Sequence, residues 1–481
     1  MKSFLKENKH HIMLTVSCLF FVIGNSIALY KEFIYFPLIS VIAVAFYLFF
    51  FKLDWLLSMM AFSVPLSVSL SEYTKLPVDL SLPSEVIMMC LTLLFFGRSL
   101  SGISYDKKLL KNPITIAICL YLVWLLLTSI TSTLPGVSIK FWISKLWFIV
   151  SCFFVLVPYF TENKEHILKF FGSYALGLSI VVIITTIRHA GYQFSEEVGH
   201  WIMSPFYNDH TAYGAALAFF LPITVGFAFF DKSKKGYRFF FLIMSAIILG
   251  GLYLSFCRAA WLSVVAAIGV WVVLKLKIKF SWLITGIAIL GLVFYTFSDD
   301  ILYQLSKNKQ DASGNLTEQI QSMSNISTDA SNVERLNRWY CAIEMIKEKP
   351  FWGWGPGTYQ FKYAPYQNSK YQTIISTDFG DGGNAHSEYL GQFAETGTIG
   401  FLSLLVLIVL ILYQGITTYI RSYDKKIRLL TLCITLSLIT YFIHGFMNNF
   451  LDTDKLALPF WACFAAIVSL NYSVPQHSDR T

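Results

Sequence analysis

The sequence predicts an all-α fold, a polytopic bundle of transmembrane helices with one long loop that is itself partly helical. Two observations support this prediction. Of the 481 residues, 55% are hydrophobic and only 14% are charged, whereas soluble domains carry about 25% charged residues. Apolar stretches of about 20 residues, enough for a helix to cross the hydrocarbon core of a membrane, also recur along the chain. This composition excludes a soluble globular protein.

Fourteen apolar stretches are candidate spans, and twelve to fourteen of them are expected to cross the membrane. The stretches lie at roughly 12–30, 33–51, 53–70, 84–97, 114–131, 139–160, 167–188, 211–230, 239–256, 259–275, 281–297, 398–415, 429–449 and 456–471. The third and fourth are short, and the sixth contains Lys140 and Lys145. These three stretches are the reason for giving a range.

The basic residues predict which ends of the spans face the cytoplasm. Lys and Arg cluster at the N-terminus and at 98–111, 231–238, 275–279 and 421–428. When fourteen spans alternate from a cytoplasmic N-terminus, all five clusters fall on the cytoplasmic side, as the positive-inside rule requires. The net charge of +8 is therefore a signal of topology, and a nucleic-acid partner is not expected.

This topology divides the chain into three regions. Residues 1–297 form an N-terminal transmembrane bundle, residues 298–397 a loop on the outer side, and residues 398–481 the C-terminal transmembrane helices with a short cytoplasmic tail. Within the loop, apolar residues recur at spacings of three and four from about Val333 to Lys349. This periodicity predicts an amphipathic helix there.

Three arginines on the outer side are candidate ligands for an anionic substrate. Arg258, in the string SFCRAAWLS, lies between two apolar spans, and Arg335 and Arg338 share one face of the predicted loop helix. A charged residue in lipid costs about 2.5–3.5 kcal/mol unless it faces protein or water. A guanidinium group matches the oxygens of a diphosphate. The alternatives are interfacial snorkelling for Arg258 and a solvated helix face for the other two.

His386 is the candidate catalytic base. It lies in NAHSEYLGQFAETGTIG, residues 384–400, where the loop returns to an apolar span. An imidazole accepts protons near neutral pH. A structural histidine at the membrane interface is the alternative. No second histidine lies within a helical turn of it, so a metal is not expected at this site, and no cofactor is predicted.

Four further residues on the outer side are candidate substrate-binding residues. Asn208, Asp209 and His210 come just before a span, and Ser387 follows the candidate base. Capping of the following helix explains Asp209 equally well, because aspartate is a preferred N-cap residue. The sequence leaves both interpretations open.

At these residues the sequence resembles the bacterial O-antigen ligase and polysaccharide polymerase superfamily, the GT-C-like, Wzy-type membrane glycosyltransferases. The resemblance covers roughly 200–450 and depends on SFCRAAWLS, VERLNRWYCAIEMIKEKPFWGWGPGTY and NAHSEYLGQFAETGTIG, in that order. The last string fits the ligase pattern of His-Ser, nine residues and Gly-x-x-Gly. In the first string, Cys257 stands where the family usually has serine.

The resemblance implies a role in lipopolysaccharide biosynthesis at the periplasmic face of the bacterial inner membrane. The donor would be a glycan on undecaprenyl diphosphate, and the acceptor would be lipid A–core or another glycan. Arg258 and Arg335 would stabilise the leaving diphosphate, and His386 would take the proton of the acceptor hydroxyl. The transfer would need no metal, and a single displacement would invert the anomeric carbon.

Two other functions fit parts of the sequence. A repeat-unit polymerase of the same superfamily shares the arginines and the loop, although the order and spacing of the motifs favour a ligase. A polytopic transporter or lipid flippase would also have many spans and a buried arginine. Such proteins tend to show internal repeats, and this sequence shows none.

Overall fold

A computed structural model of the protein describes residues 52–70, 80–100, 106–231, 235–278, 330–373 and 383–474, together with residues 24, 296 and 376. Almost all of this part of the chain is helical, which confirms the predicted all-α class. In chain order, its helices are α1 Leu53–Ser63, α2 Ser84–Leu100, α3 Lys107–Leu110, α4 Pro113–Ile130, α5 Pro135–Ile149, α6 Leu156–Glu162, α7 Lys164–Ala190, α8 Glu196–Gly199, α9 His210–Ala228, α10 Lys235–Leu254, α11 Arg258–Lys275, α12 Ala330–Glu348, α13 Tyr359–Lys362, α14 Glu388–Arg421, α15 Lys425–His444 and α16 Asp454–Tyr472.

Within the described ranges, nine helices are long and apolar enough to cross a membrane. They correspond to the predicted stretches from the fifth to the tenth and from the twelfth to the fourteenth. The doubtful sixth stretch is one of them, because a π-helical turn joins α5 and α6 into the single span Pro135–Glu162. Apart from residues 24 and 296, the predicted stretches 12–30, 33–51 and 281–297 lie outside the described residues. The protein is thus a multi-pass membrane protein.

Two boundaries differ from the predicted ones. The third stretch stops being helical after a short 3-10 turn at Val64–Leu66, and an antiparallel pair of two-residue strands follows, β1 Val68–Ser69 and β2 Ser81–Leu82. At the other end of the chain, α14 begins at Glu388, ten residues before the predicted span. A polar first turn hides this start from an analysis of hydropathy.

The helix α16 lies at the centre of the bundle. All its residues from Asp454 to Leu470 are buried, and it packs against α6, α14 and α15. Its sequence contains four alanines among large apolar residues, and such small side chains let neighbouring helices approach closely. It has further contacts with α5, α7 and α9.

The bundle has two chemically different ends. At one end, which we call the basic end, Lys164 forms an ion pair with Asp424 at 3.1 Å, and Tyr472 donates to Asp106 at 3.1 Å. At the opposite end, which we call the loop end, the segment after α12 packs against the turn between α4 and α5. The structure therefore separates the basic clusters that it describes from the loop, as the predicted topology requires.

A kink in α14 docks the loop onto the bundle. Gly397 has a positive φ of 67° within this helix, which interrupts the helical hydrogen bonds. The freed carbonyls of Ala394 and Glu395 accept hydrogen bonds from the backbone N–H groups of Trp354 and Gly355, at 3.0 and 2.8 Å. A side chain at Gly397 would overlap the backbone of the docked segment. Gly397, the first glycine of the Gly-x-x-Gly part of the pattern, therefore allows the loop to dock onto α14.

Candidate functional site

Three long helices begin near one another at the loop end. These helices are α9, α11 and α14, and their first residues are His210, Arg258 and Glu388. The charge of Asp209, which precedes α9, acts on Cys257 before α11 and on His386 before α14, so the three starts share one electrostatic environment. A helix N-terminus carries a partial positive charge. Their convergence favours an anionic ligand.

The turn before α11 holds Arg258 at the first position of that helix. Ser255 Oγ donates to the Leu252 carbonyl at 2.7 Å and accepts from the Cys257 N–H at 3.3 Å, and Trp261 Nε1 donates to the same carbonyl at 2.9 Å. Arg258 is half-buried. A cation at a helix N-terminus opposes the helix dipole by about 0.3–1 kcal/mol. A bound anion would relieve this repulsion.

Arg335 lies in the second turn of α12 and is half-buried. Its Nη1 donates to Ser331 Oγ at 2.8 Å and lies 3.4 Å from Asn332 Oδ1. The charge of Arg335 also acts on Cys257 before α11, and the charge of Arg258 acts on the same thiol. The two arginines, predicted from separate motifs, are thus brought to one region of the molecule.

Arg338 has a different environment. Its Nε forms an ion pair with Glu334 at 2.6 Å, and both side chains are only 5% exposed. The guanidinium carbon lies 3.9 Å from the centre of the Tyr363 ring, and Gly383 packs directly on the guanidinium, where a side chain would overlap it. These contacts are typical of a residue that holds structural elements together.

The segment 383–387 carries the candidate base between α12 and α14. His386 has a positive φ of 47°, a conformation that costs a residue other than glycine on the order of 1–3 kcal/mol. Its backbone N–H donates to Asn384 Oδ1 at 3.0 Å, and its carbonyl accepts from Trp339 Nε1 at 3.1 Å. Ser387 caps α14 by accepting from the Leu390 N–H at 3.4 Å. The structure thus places Ser387 as a buried helix cap.

The charges around His386 act on its protonation. Burial first, and then the guanidinium groups of Arg335 and Arg338, lower its pKa to about 4, against smaller opposite effects of Glu334 and Asp209. Its Nδ1 is buried and has no hydrogen-bond partner among the described residues. The imidazole is therefore neutral at neutral pH, and no described residue uses the hydrogen-bonding capacity of its buried Nδ1.

The residues 208–210 lie beside this site. Asp209 caps α9, accepting from two backbone N–H groups of the first turn at 2.7 and 2.8 Å. His210 stacks on His200 with ring centres 4.3 Å apart, and the charges of Arg258 and Arg335 reach His210. Asn208 is exposed. The capping interpretation of Asp209 therefore holds, and its charge also belongs to the site.

His444, the last residue of α15, is a further member that was not predicted as a site residue. It is 1% exposed, and the charges of Arg335 and Asp209 act on it. Its Nε2 lies 3.2 Å from Asn448 Nδ2. Its Nδ1 is near the Ala259 carbonyl but outside hydrogen-bond geometry. The sequence alone gave no signal for this histidine, because only tertiary packing brings α15 to α11.

Trp339 and Asn384 were also missed, although their motifs were recognised. Trp339 follows Arg335 by four residues, the spacing that puts two side chains on one face of a helix. Asn384 precedes His386 by two residues, a spacing at which asparagine side chains bind the backbone. These spacings were the available signals. Among the described residues, no group of three or more His, Cys, Asp or Glu could hold a metal ion.

Comparison with known proteins agrees with the motifs. Residues 240–405 match the family model described as O-antigen ligase. Over this segment, about a third of the chain, the sequence is similar to that family. The match runs from α10 into α14 and includes Arg258, Arg335 and His386. It confirms the predicted resemblance to this superfamily of glycosyltransferase-like enzymes.

A relative occurs in Haemophilus influenzae, where it is described as an uncharacterized protein. It is 23% identical over 236 residues, which are 48% of this chain and 56% of the relative. The chain thus matches little more than half the length of this relative, and the description of the relative assigns it no activity.

Proposed function

We propose that the protein is a metal-independent glycosyltransferase of the O-antigen ligase type. It transfers a glycan from undecaprenyl diphosphate to an acceptor such as lipid A–core, at the periplasmic face of the inner membrane. One observation supports this proposal most. Arg258, Arg335 and His386 come from three separate motifs, and they lie around one site at the loop end of the bundle.

The chemistry of the leaving group accounts for the arginines. When the bond from the anomeric carbon to the diphosphate oxygen breaks, the diphosphate gains negative charge. Arg258, Arg335 and the helix N-termini of α9, α11 and α14 provide fixed positive charge for it. Groups that are already in place when the charge develops stabilise the transition state without reorganising.

The acceptor hydroxyl supplies the nucleophile. Its oxygen forms the new bond to the anomeric carbon, its proton passes to a ring nitrogen of His386, and undecaprenyl diphosphate leaves with the electron pair. A single displacement of this kind inverts the anomeric carbon. The alternative, a double displacement, would need a carboxylate as covalent nucleophile. The carboxylates of Glu388 and Glu395 already accept hydrogen bonds from backbone N–H groups at 2.8–3.0 Å, which disfavours that role for them.

The low pKa of His386 has a consequence for the order of events. In the free protein, the imidazole is neutral above a pH of about 4, so it is ready to accept a proton but is a weak base. A diphosphate bound at Arg335 brings negative charge close to the ring. Such a charge favours the imidazolium and raises the pKa. Donor binding therefore strengthens the base just before it is needed.

A deletion strain examined by lipopolysaccharide gel tests the proposal. Loss of a ligase leaves free core while undecaprenyl-linked polymer accumulates. Loss of a polymerase would instead leave core with at most one repeat unit, and it would move the assignment to the rival function within the same superfamily. An unchanged lipopolysaccharide profile would contradict both.

Purified protein with lipid-linked donor and acceptor tests the base directly. The His386→Ala variant should lose about 10²–10⁴-fold in turnover, the usual contribution of a positioned general base, while donor binding is kept. Activity of the wild type should survive EDTA. Near-normal turnover of His386→Ala would leave the histidine as a structural residue, and inactivation by the chelator would replace the metal-independent mechanism.

A further inference from the structure

Two side chains hold the backbone of His386 from opposite sides. Asn384 Oδ1 accepts from the His386 N–H at 3.0 Å, and Trp339 Nε1 donates to the His386 carbonyl at 3.1 Å. We propose that Trp339 and Asn384 are positioning residues, which fix the imidazole of His386 relative to Arg335. This inference rests on the proposed function, because it assigns the imidazole the role of the base.

The spacing in α12 links the base to the arginine. Trp339 follows Arg335 by four residues, so both side chains leave the same face of one helix, about 6 Å apart along its axis. Arg335 acts electrostatically on the imidazole, and Trp339 holds the backbone that carries it. A single rigid helix therefore sets the distance between the cation and the base.

The backbone conformation shows why the base needs holding. His386 lies in the left-handed region, with φ of 47°, where a side chain other than that of glycine is disfavoured. Without its hydrogen bonds, the residue would relax toward a negative φ and turn the ring away from its present direction. Asn384 stabilises the turn from the N-terminal side, and Trp339 stabilises it from α12.

The neighbouring contacts hold the same segment in place. Gly383 packs on the buried Arg338 guanidinium, and Ser387 caps α14. At the far end of α12, Trp354 Nε1 donates to the Met345 carbonyl at 3.0 Å. Trp354 thus makes the same type of bond as Trp339, from an indole N–H to a backbone carbonyl, but its acceptor is Met345 in α12 and not His386. It is a matched control for the loss of an indole hydrogen bond.

Trp339→Phe removes the indole N–H and keeps an aromatic ring in its place. We expect kcat to fall about 10- to 100-fold, since a misplacement of about 1 Å at a reacting group can reduce the rate about 10²-fold. The KM for the donor should stay within about twofold, because the arginines are intact. Trp354→Phe should keep kcat within about threefold. Equal losses in the two variants would overturn the proposal.

The Asn384 variants provide a test by rescue. Asn384→Leu removes the acceptor at similar size and should behave like Trp339→Phe. Asn384→Asp keeps an acceptor oxygen and should retain kcat within about threefold. Its added negative charge should also move the acid limb of the pH profile to higher pH. An active Asn384→Leu variant, or an Asn384→Asp variant with an unchanged limb and no rescue, would contradict the role.

A chemical readout separates this inference from the proposed function. Diethyl pyrocarbonate modifies neutral imidazoles, and mass spectrometry of the peptide that contains His386 reports its rate at that site alone. Trp339→Phe should raise this rate severalfold, and Trp354→Phe should not. If the wild type lacks transferase activity but the rates differ in this way, the proposed function fails while the positioning holds. Identical rates in all three proteins would refute the positioning itself.

Discussion

Two buried polar clusters lie at the loop end of the bundle, and they differ in whether their polar atoms have partners. In the first cluster, Asp454 accepts hydrogen bonds from Ser67 and Ser84 at 2.6 and 2.5 Å. Lys455 Nζ donates to the carbonyls of Val64 and Ser67 at 2.7 and 2.6 Å. Each charge is thus paired with hydrogen-bonding groups, which is the condition for burying a charge in a stable fold.

The second cluster is the candidate site, where buried polar atoms lack partners. Within the described residues, His386 Nδ1, His444 Nδ1 and Arg338 Nη1 have no hydrogen-bond partner. Leaving such an atom unsatisfied costs about 1–3 kcal/mol. The comparison teaches that burial alone does not identify a functional residue. The first cluster joins α16 to the N-terminal helices, whereas the second keeps hydrogen-bonding capacity that the described residues do not use.

The largest expected loss of turnover distinguishes Arg335 from Arg338, which lies one helical turn further along α12. Arg335→Ala should reduce turnover by about 10²–10³-fold or more, because it removes a fixed cation from the leaving group. Arg258→Ala should do the same, and Arg258→Lys should restore little, since an ammonium group lacks the planar fork. Turnover per folded molecule, measured with purified protein, checks both expectations.

Arg338→Ala should instead reduce stability, because it leaves Glu334 buried without its ion-pair partner. Breaking such a pair typically costs about 3–5 kcal/mol. Thermal unfolding in detergent measures the loss, and a double variant, Glu334→Gln with Arg338→Met, should recover part of it. If Arg338→Ala abolishes turnover in folded protein while Arg335→Ala is active, the assignment of the two arginines is reversed.

Asp454→Ala tests the first cluster in the same way. It removes the acceptor of two buried hydroxyl groups and the charge beside Lys455, so a destabilisation of about 3–5 kcal/mol is expected. The activity of the molecules that remain folded should change little. A variant that unfolds normally but does not transfer glycan would show that this cluster also serves the reaction.

The pH dependence of stability and of turnover tests the role of His386 in the second cluster. The pKa of His386 is about 4, below the ordinary value of about 6.5. The unfolded chain therefore binds the proton more readily between these values, and the contribution of His386 to stability falls as the pH drops from 6.5 toward 4. In kinetics, the acid limb of kcat/KM reports the free protein, and that of kcat reports the complex with donor.

In the proposed mechanism bound diphosphate raises the pKa of the imidazole, so the acid limb of kcat should lie at higher pH than that of kcat/KM. Rates measured from pH 4 to 8 with saturating and with limiting donor check this order. The His386→Gln variant is the control, since it cannot titrate. Coincident limbs would mean that the donor does not approach the ring.

Hydropathy and basic clusters were sufficient to predict the described spans, because the requirement for length and apolar composition acts on each helix separately. Hydropathy alone places the start of the following span at 398, whereas α14 begins at Glu388, as the helical spacing of Tyr389, Leu390, Phe393 and Ala394 indicates. The strands β1 and β2 were not predicted either, because of their length. Each is two residues long, too short for an alternating pattern to emerge.

The candidate site was predictable only where motifs carried it. Arg258, Arg335 and His386 came from their strings, and the structure brings them to one region, while their catalytic roles stay predictions. His444 could not be found in this way, because its proximity to Arg335 arises from the packing of α15 on α11. The different environments of Arg335 and Arg338 could not be predicted either. Sequence spacing does not show which of the two arginines forms an ion pair with the buried Glu334.

The smallest expected effect concerns Cys257, which stands where the family usually has serine. It occupies the N-cap of α11, is 2% exposed, and makes no capping hydrogen bond through its side chain. Burial raises the pKa of its thiol to about 11, so the thiol is neutral and makes no anionic contribution to the site.

A serine hydroxyl is smaller and caps helices well, so Cys257→Ser should stabilise the protein by about 0.5–1 kcal/mol. Turnover should stay within about twofold, because Arg258 keeps its position at the start of the helix. Thermal unfolding measures the expected gain in stability of Cys257→Ser, and a turnover assay with the donor measures its activity. A clear loss of turnover in Cys257→Ser would show that the packing of Cys257 against Gly214 sets the position of Arg258, and the arginine would then depend on its neighbour more than the turn geometry indicates.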